Sequence, residues 1–257
     1  MRILTQTIKI QMLNSFSRSM FKYSMILQPI IYTLALFWMF RSSGNNNYIT
    51  YVFLGSGLLS FISCIIYSSA GDINRERYLG TLQIIYGTPA NFNMILFGKI
   101  IGNTILGIVP SIISYIVLIL FCQKQIKIYN PILLYMEIVV ALFSFICISL
   151  IFAAFFTYSR KATILMNCLE YPLYILTGVL IPIINLPFFC RLISIFFSPM
   201  WIVKIFKICL NGGSISELKM YTIIVLLLSF VYLILGLLIM KVIDKNIKVK
   251  GTIGLSI

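Results

Sequence analysis

The sequence predicts an all-α membrane protein, and three observations carry that prediction. Of the 257 residues, 60% are hydrophobic and only 10% are charged, where a soluble domain carries roughly 25% charged residues. Mean hydropathy is +1.03. The apolar residues come in continuous runs of about 20, the length a helix needs to cross a ~30 Å hydrocarbon layer. Unbroken runs exclude a transmembrane β-barrel, whose strands alternate. The chain reads as a single transmembrane domain over 1–257. It has six transmembrane helices, an N-terminal interfacial helix, a short cytoplasmic helix between spans 2 and 3, and a re-entrant helical hairpin between spans 5 and 6.

Residues 1–22 hold no unbroken apolar run and are not read as a cleaved signal. Leu4, Ile8, Met12, Phe16 and Met20 recur every fourth residue, with Arg2, Lys9, Arg18 and Lys22 over much of the remaining surface. Such a helix lies in the headgroup layer with its apolar stripe in lipid. The first span is 23–40, where Pro29 is expected to introduce a kink. After a polar loop, the second span, 48–71, carries Ser56, Ser60 and Ser63 along one side, small enough for close helix approach. The charge-bearing region 72–91 follows. It holds Asp72, Arg75, Glu76 and Arg77, then a short apolar helix over 78–86 that Gly87 and Pro89 terminate.

The third span, 94–122, is ~40 Å long at the rise of an α-helix, so its first turns around Lys99 project from the membrane. Gly98 and Gly102 there form a close-packing face. The fourth span is 132–158, with Glu137 near its start. The fifth, 162–184, contains Glu170, Pro172, Gly178 and Pro182. Pro187 and Pro199 cut the apolar region 185–210 into pieces of about 11 residues, each too short to cross a bilayer. Backbone that turns at membrane depth must be buried in protein, hence the re-entrant reading. The last span is 220–240, followed by a tail with Lys241, Lys245, Lys248 and Lys250.

Six spans leave both termini on one side. Arg41, Lys124, Lys127, Arg191, Lys204, Lys207 and Lys219 fall on the other side, which leaves 13 of the 20 Lys and Arg residues with the termini. The excess of cations marks that side as cytoplasmic. The net charge of +14 therefore reads as orientation, and no nucleic-acid partner is expected. There are six cysteines, no CxxC pair and no histidine, so no metal site is expected. Gly98-Lys99 lacks the upstream glycine and following Ser/Thr of a phosphate-cradling loop. No nucleophile, base and orienter stand together in the pattern. No catalytic residues are expected, and the chain is not read as an enzyme.

Three groups of residues are candidates for function. The region 72–91 joins two spans, so a soluble partner pushing its short helix moves both as rigid elements. Glu170, with Asn167 one turn earlier and Thr177 beyond, marks a substrate pathway, because an ionisable group inside a span is costly. Two readings of Glu170 stay open: contact with a cationic group, or solvation at headgroup depth. Glu137 lies closer to the membrane edge and is expected to be solvated. Phe188, Phe189, Phe196, Phe197 and Trp201 cluster in the hairpin, as interfacial anchors or as an outer gate.

At this point the residues resemble a known family. Glu76–Gln83 (ERYLGTLQ), then Thr88-Pro89, then Gly98-Lys99, is similar to the hallmark stretch of ABC-2-type transporter permeases, the membrane subunits of ABC exporters. Leu176–Pro187 (LTGVLIPIINLP), followed by Pro199, resembles that family's second hallmark, ahead of its re-entrant hairpin. The resemblance implies a multi-pass protein of the bacterial plasma membrane with cytoplasmic termini. It implies two copies of a separate ATP-binding subunit, which holds the ATP and magnesium, and a second permease chain, identical or homologous. This chain would hold no cofactor of its own. The helix around 78–86 would be the coupling helix, with Glu76, Arg77, Tyr78, Gly80, Thr81, Leu82, Gln83, Thr88 and Pro89 as coupling residues. Gln83 departs from the glutamate common in the family and keeps hydrogen bonding without the charge. The implied cargo is a small amphiphile, as in multidrug or antimicrobial peptide resistance or lipid export. The alternative is a non-transporting membrane immunity or sensor protein.

Overall fold

The computed structural model describes residues 2–41, 48–81, 84, 87, 92–123, 128–158 and 162–250. No strand occurs among them. Two N-terminal helices, α1 (Arg2–Phe16) and α2 (Ser19–Lys22), lead into α3 (Gln28–Arg41). A π-helical turn over Tyr23–Leu27 precedes α3. Pro29 supplies no N–H to the turn before it, and the backbone widens there. Next come α4 (Tyr48–Tyr78), α5 (Phe92–Leu106), α6 (Ile108–Leu120) and α7 (Pro131–Tyr158). The chain ends with α8 (Ala162–Leu176), α9 (Phe188–Ile195), α10 (Ser198–Asn211) and α11 (Ile215–Lys250).

By length and composition, five stretches are able to cross a membrane: Tyr23–Arg41, Tyr48–Tyr67, Asn93–Leu120, Pro131–Phe156 and Ile215–Val242. The pair α9–α10, bent by 77°, makes a sixth if counted as one broken span. α4 is the hub and packs against α3, α6, α7 and α8. In its apolar stretch 83% of the residues are buried, against 22% in that of α11. α11 leans on α7 with one side and turns Ile223, Leu227, Phe230, Ile234 and Leu238 outward. The main core joins α4, α7, α8, α10 and α11 through residues such as Phe61, Ile65, Phe145, Tyr174, Ile202 and Val225.

Several expected boundaries differ. α4 does not stop at Gly71 but runs unbroken for 31 residues to Tyr78. Polar residues beyond the apolar run do not end a helix that carries no breaker. The third span breaks at Gly107, three residues before Pro110, whose ring opposes the carbonyl of Leu106. A Cβ at Gly107 would stand 2.8 Å from the Phe61 ring. The fifth helix ends at Leu176 rather than Ile184, and its 15 residues span ~22 Å, less than the hydrocarbon core. Gly178 ends it at φ +71°, in the left-handed region that favours glycine, and Pro182 prevents resumption. The last helix begins at Ile215 and extends to Lys250, beyond 220–240 at both ends.

α1 also differs from its expected orientation. It packs along α5, where a Cβ at Gly98 would meet Thr7 Cβ at 2.9 Å and one at Gly102 would meet the Ile8 carbonyl at 3.2 Å. Of the predicted lipid stripe, Leu4, Ile8 and Met12 are half-buried and Phe16 is exposed, while Ile10 and Leu13, outside that stripe, are exposed as well. Gln11 and Ser15 turn inward to reach buried polar partners, and that requirement sets the rotation of the helix.

Candidate functional site

Two buried polar clusters hang on α4. The first lies where α4 emerges past the apolar run. Asp72, 3% exposed, accepts hydrogen bonds at Oδ2 from Gln11 Nε2 (2.6 Å) and Asn103 Nδ2 (2.8 Å). Ser15 Oγ donates to Asn103 Oδ1 at 2.7 Å, and Arg18 forms an ion pair with Asp72 Oδ1. One carboxylate thus joins α1, the α1–α2 junction, α4 and α5. Burial, with the nearby positive charge of Arg75, pulls the Arg18 guanidinium down to about 10. It remains charged at neutral pH. One turn further along α4, Glu76 pairs with Lys99 of α5. Both helices that flank the segment after Tyr78 are therefore tied together at their roots.

Beyond these pairs, the helix gives way to a turn at Leu79 and Gly80, with Gly80 at φ +70°. Thr81 Oγ1 donates to the Glu76 carbonyl at 3.3 Å. Leu79 and Ile84 are exposed. Of the expected coupling residues, Glu76, Gly80 and Thr81 are thus located. Arg77 and Tyr78 form the last turn of α4, so Tyr78 belongs to the long helix and does not open a new one. Leu82, Gln83, Thr88 and Pro89 lie outside the described residues, as does the rest of 85–91 apart from Gly87.

The second cluster sits at mid-height. Glu170 is 4% exposed, inside protein rather than solvated. Ser63 Oγ donates to its Oε1 at 2.6 Å, as does the Tyr174 hydroxyl, and Tyr67 Oη donates to Oε2 at 2.8 Å. Gln28 Nε2 lies 2.8 Å from Ser63 Oγ and 3.0 Å from the Tyr32 hydroxyl. Among the described residues no lysine or arginine pairs with Glu170. Gln28 Nε2 also donates to Glu170 Oε1 at 3.3 Å, so four neutral donors from α3, α4 and α8 solvate the carboxyl, and Gln28 Oε1 remains buried without a donor. The arrangement has acceptor capacity for one further protic group. Asn167 is exposed at its edge, 3.2 Å from Tyr67 Oη. Thr177 is buried but caps α8 instead, donating to the Tyr174 carbonyl at 2.7 Å.

Glu137 is 6% exposed, not solvated as expected. Thr222 of α11 donates to its Oε1 at 2.7 Å. Glu137 is the seventh residue of α7, and α11 covers it there. The aromatic hairpin residues do not converge within one chain. Phe188 and Phe189 are 68% and 77% exposed and Phe196 is exposed, whereas Phe197 and Trp201 pack partly against the core. Trp201 Nε1 donates to the Ile195 carbonyl at 2.8 Å, which fixes the bend between α9 and α10.

Neither cluster was read as a unit from the sequence. Gln11, Ser15, Arg18, Asp72 and Asn103 were missed together, as were Gln28, Tyr67 and Tyr174. A signal was available: Gln28 and Asn103 are uncharged polar residues within apolar runs, where each side chain needs a buried partner.

A chain whose described residues form apolar helices of membrane length around buried polar clusters is a multi-pass α-helical membrane protein. The family model described as "ABC-2 family transporter protein" matches residues 3–238. The chain belongs to that family, which makes it the membrane domain of an ABC transporter, a class that works with an ATP-binding cassette partner. No curated protein matches it.

Proposed function

We propose that this chain is the permease subunit of an ATP-driven exporter of small amphiphiles, with the segment after Tyr78 as the coupling helix. The observation that carries the reading is the pair of ties Arg18–Asp72 and Glu76–Lys99. They join α1, α4 and α5 at one end, so a push on the intervening segment moves three helices as one body. The exposed Leu79 and Ile84 offer an apolar face to a groove on the ATP-binding subunit. Two such subunits, each holding ATP and magnesium, act on two permease chains, identical or homologous. Both termini are cytoplasmic in a bacterial plasma membrane. Glu170, with Asn167 at its edge, lines the pathway. Phe188, Phe189 and Phe196, exposed on a single chain, meet the second permease or lipid and form the outer gate.

The test is recovery of the ATP-binding subunit with the detergent-solubilised chain. The native chain should retain it, and the double variant Leu79→Asp, Ile84→Asp should lose it while keeping its elution volume and unfolding temperature. Repeated recovery of the native chain alone would favour the immunity or sensor reading.

A further inference from the structure

At the end of the bundle opposite Asp72, α10 carries two ammonium groups without a carboxylate. Lys204 Nζ lies 4.3 Å from the Trp201 ring centroid and 5.4 Å from that of Tyr221. Lys207 Nζ lies 4.3 Å from that of Tyr51. Both lysines are half-buried, and neither has an ion-pair partner among the described residues. Glu137, the buried acid at this end, is committed to Thr222. Contact with aromatic faces offsets only part of the cost of holding two like charges side by side.

On another face of α10, Phe206 and Leu210 border an apolar cavity of about 120 Å³. Leu54, one turn inward from Tyr51 on α4, lines it, as do Phe206 and Leu210, which flank Lys207 on α10. Thr50 Oγ1 donates to Asn211 Oδ1 at 2.8 Å and holds the ends of α4 and α10 together at the rim. The cavity reaches inward along α4 to Phe61, ~10 Å at helical rise. There the Phe61 and Phe145 rings, 4.4 Å apart, form part of its wall. Phe61 and Ser63 point to opposite sides of α4, so this space is separate from the Glu170 cluster. Its volume is close to the ~150 Å³ of an apolar cavity that takes up benzene.

We infer that this is a binding site for an anionic amphiphile, whose carboxylate or phosphate head meets Lys204 and Lys207 and whose apolar group enters the cavity between α4, α6, α7 and α10. The head supplies the missing counter-charge, and the apolar group leaves water for a lining of Leu, Ile and Phe side chains. Two sources share this chemistry: a free single-chain acid, or an acidic lipid of the bilayer. Binding stands independently of export; only its role as cargo rests on the exporter reading.

The chain has two tryptophans, so Trp38→Phe leaves Trp201, beside Lys204, as the sole emitter. The purified Trp38→Phe chain in neutral nanodiscs is titrated with dibromostearate or brominated phosphatidylglycerol, and with a brominated fatty alcohol and brominated phosphatidylcholine as neutral counterparts. Saturable quenching by one anionic probe and not by its neutral counterpart is expected, and the probe that saturates identifies the source. Lys204→Gln with Lys207→Gln should weaken it at least tenfold, Lys207→Arg should retain it, and Ala141→Leu, which fills the cavity from α7, should abolish the saturable phase. Equal quenching by charged and neutral probes, or affinity unchanged in the double glutamine variant, overturns the inference. Saturable binding without export of the same compound would sink only the cargo role.

Discussion

Asp72→Asn changes one charge and almost nothing of the side chain's shape, yet it takes the counter-charge away from the Arg18 guanidinium. Asp72 Oδ2 accepts two amide N–H groups, from Gln11 and Asn103, while Oδ1 faces the Arg18 guanidinium. An asparagine must aim its own NH2 group either at the guanidinium or at the two amides, which must then turn over to present their oxygens, and neither orientation restores the charge that faces Arg18. Removing one partner of a buried ion pair costs about 3–5 kcal/mol. The Arg18 side chain keeps 17% exposure, and water relieves part of its loss, so about 3 kcal/mol is the working figure. The penalty falls on the contact between α1 and the α4–α5 pair, and it appears as local release of α1. At 1.4 kcal/mol per tenfold, the released population rises about 150-fold. Amide hydrogen exchange in nanodiscs reads this directly: α1 amides over 4–16 should lose roughly two orders of magnitude of protection, with α11 amides as the unchanged reference. Arg18→Gln should release α1 similarly, and the double variant should be no worse than Asp72→Asn alone, because both substitutions remove the same interaction. Unchanged α1 protection, or fully additive effects, would refute the assignment.

Other substitutions probe the remaining contacts. Gly98→Leu sets a Cβ 2.9 Å from Thr7 and 3.3 Å from the Leu4 carbonyl, so α1 must lift from α5 at about 1–3 kcal/mol, read by the same exchange measurement. Gly178→Ala places a side chain at φ +71° and 2.6 Å from Ile183; thermal unfolding should show a loss of about 1–3 kcal/mol. Glu170→Ala leaves the donors of Ser63, Tyr67 and Tyr174 without their acceptor and should cost about 1–3 kcal/mol in thermal unfolding. Glu170→Gln keeps an oxygen there and should cost less, so a loss of transport in that variant at normal stability would isolate a role for the carboxyl group.

How much of this was legible in the sequence depends on which force fixes each feature. Spans 1, 2, 4 and 6 announce themselves by apolar run length, because the bilayer enforces that length whatever the packing. The fifth did not, since 177–184 is as apolar as the helix before it and only Gly178 and Pro182 mark the end. The face of α1 was misjudged for a different reason. Counting apolar residues favours a stripe through Leu4, Ile8 and Met12, but the helix turns on Gln11 and Ser15, whose partners Asp72 and Asn103 lie 61 to 92 positions away in the chain. Long-range polar pairing leaves no periodic trace. Glu170 stands out as an acid within an apolar run, yet its donors were invisible because serine and tyrosine are ordinary in a membrane helix.

The unbroken course of α4 gives these clusters a common mechanical meaning. From Thr50, bonded to Asn211, through Ser63 and Tyr67 at Glu170, to Asp72 and Glu76, one helix touches the far rim, the mid-height cluster and the near-end ties in turn. Thr50 to Glu76 is 26 residues, ~39 Å of continuous helix. No proline or described break interrupts it, unlike the third span at Gly107. A rotation or tilt imposed at Glu76 therefore passes along one continuous helix to Ser63 and Tyr51, whereas the same push delivered through α5 meets the one-residue turn at Gly107. Under the proposed coupling, the stroke of the partner is carried chiefly by α4, and inserting proline near Leu59, between the two buried clusters, should separate ATP turnover from transport more completely than the same change at Ile108, beside the turn at Gly107.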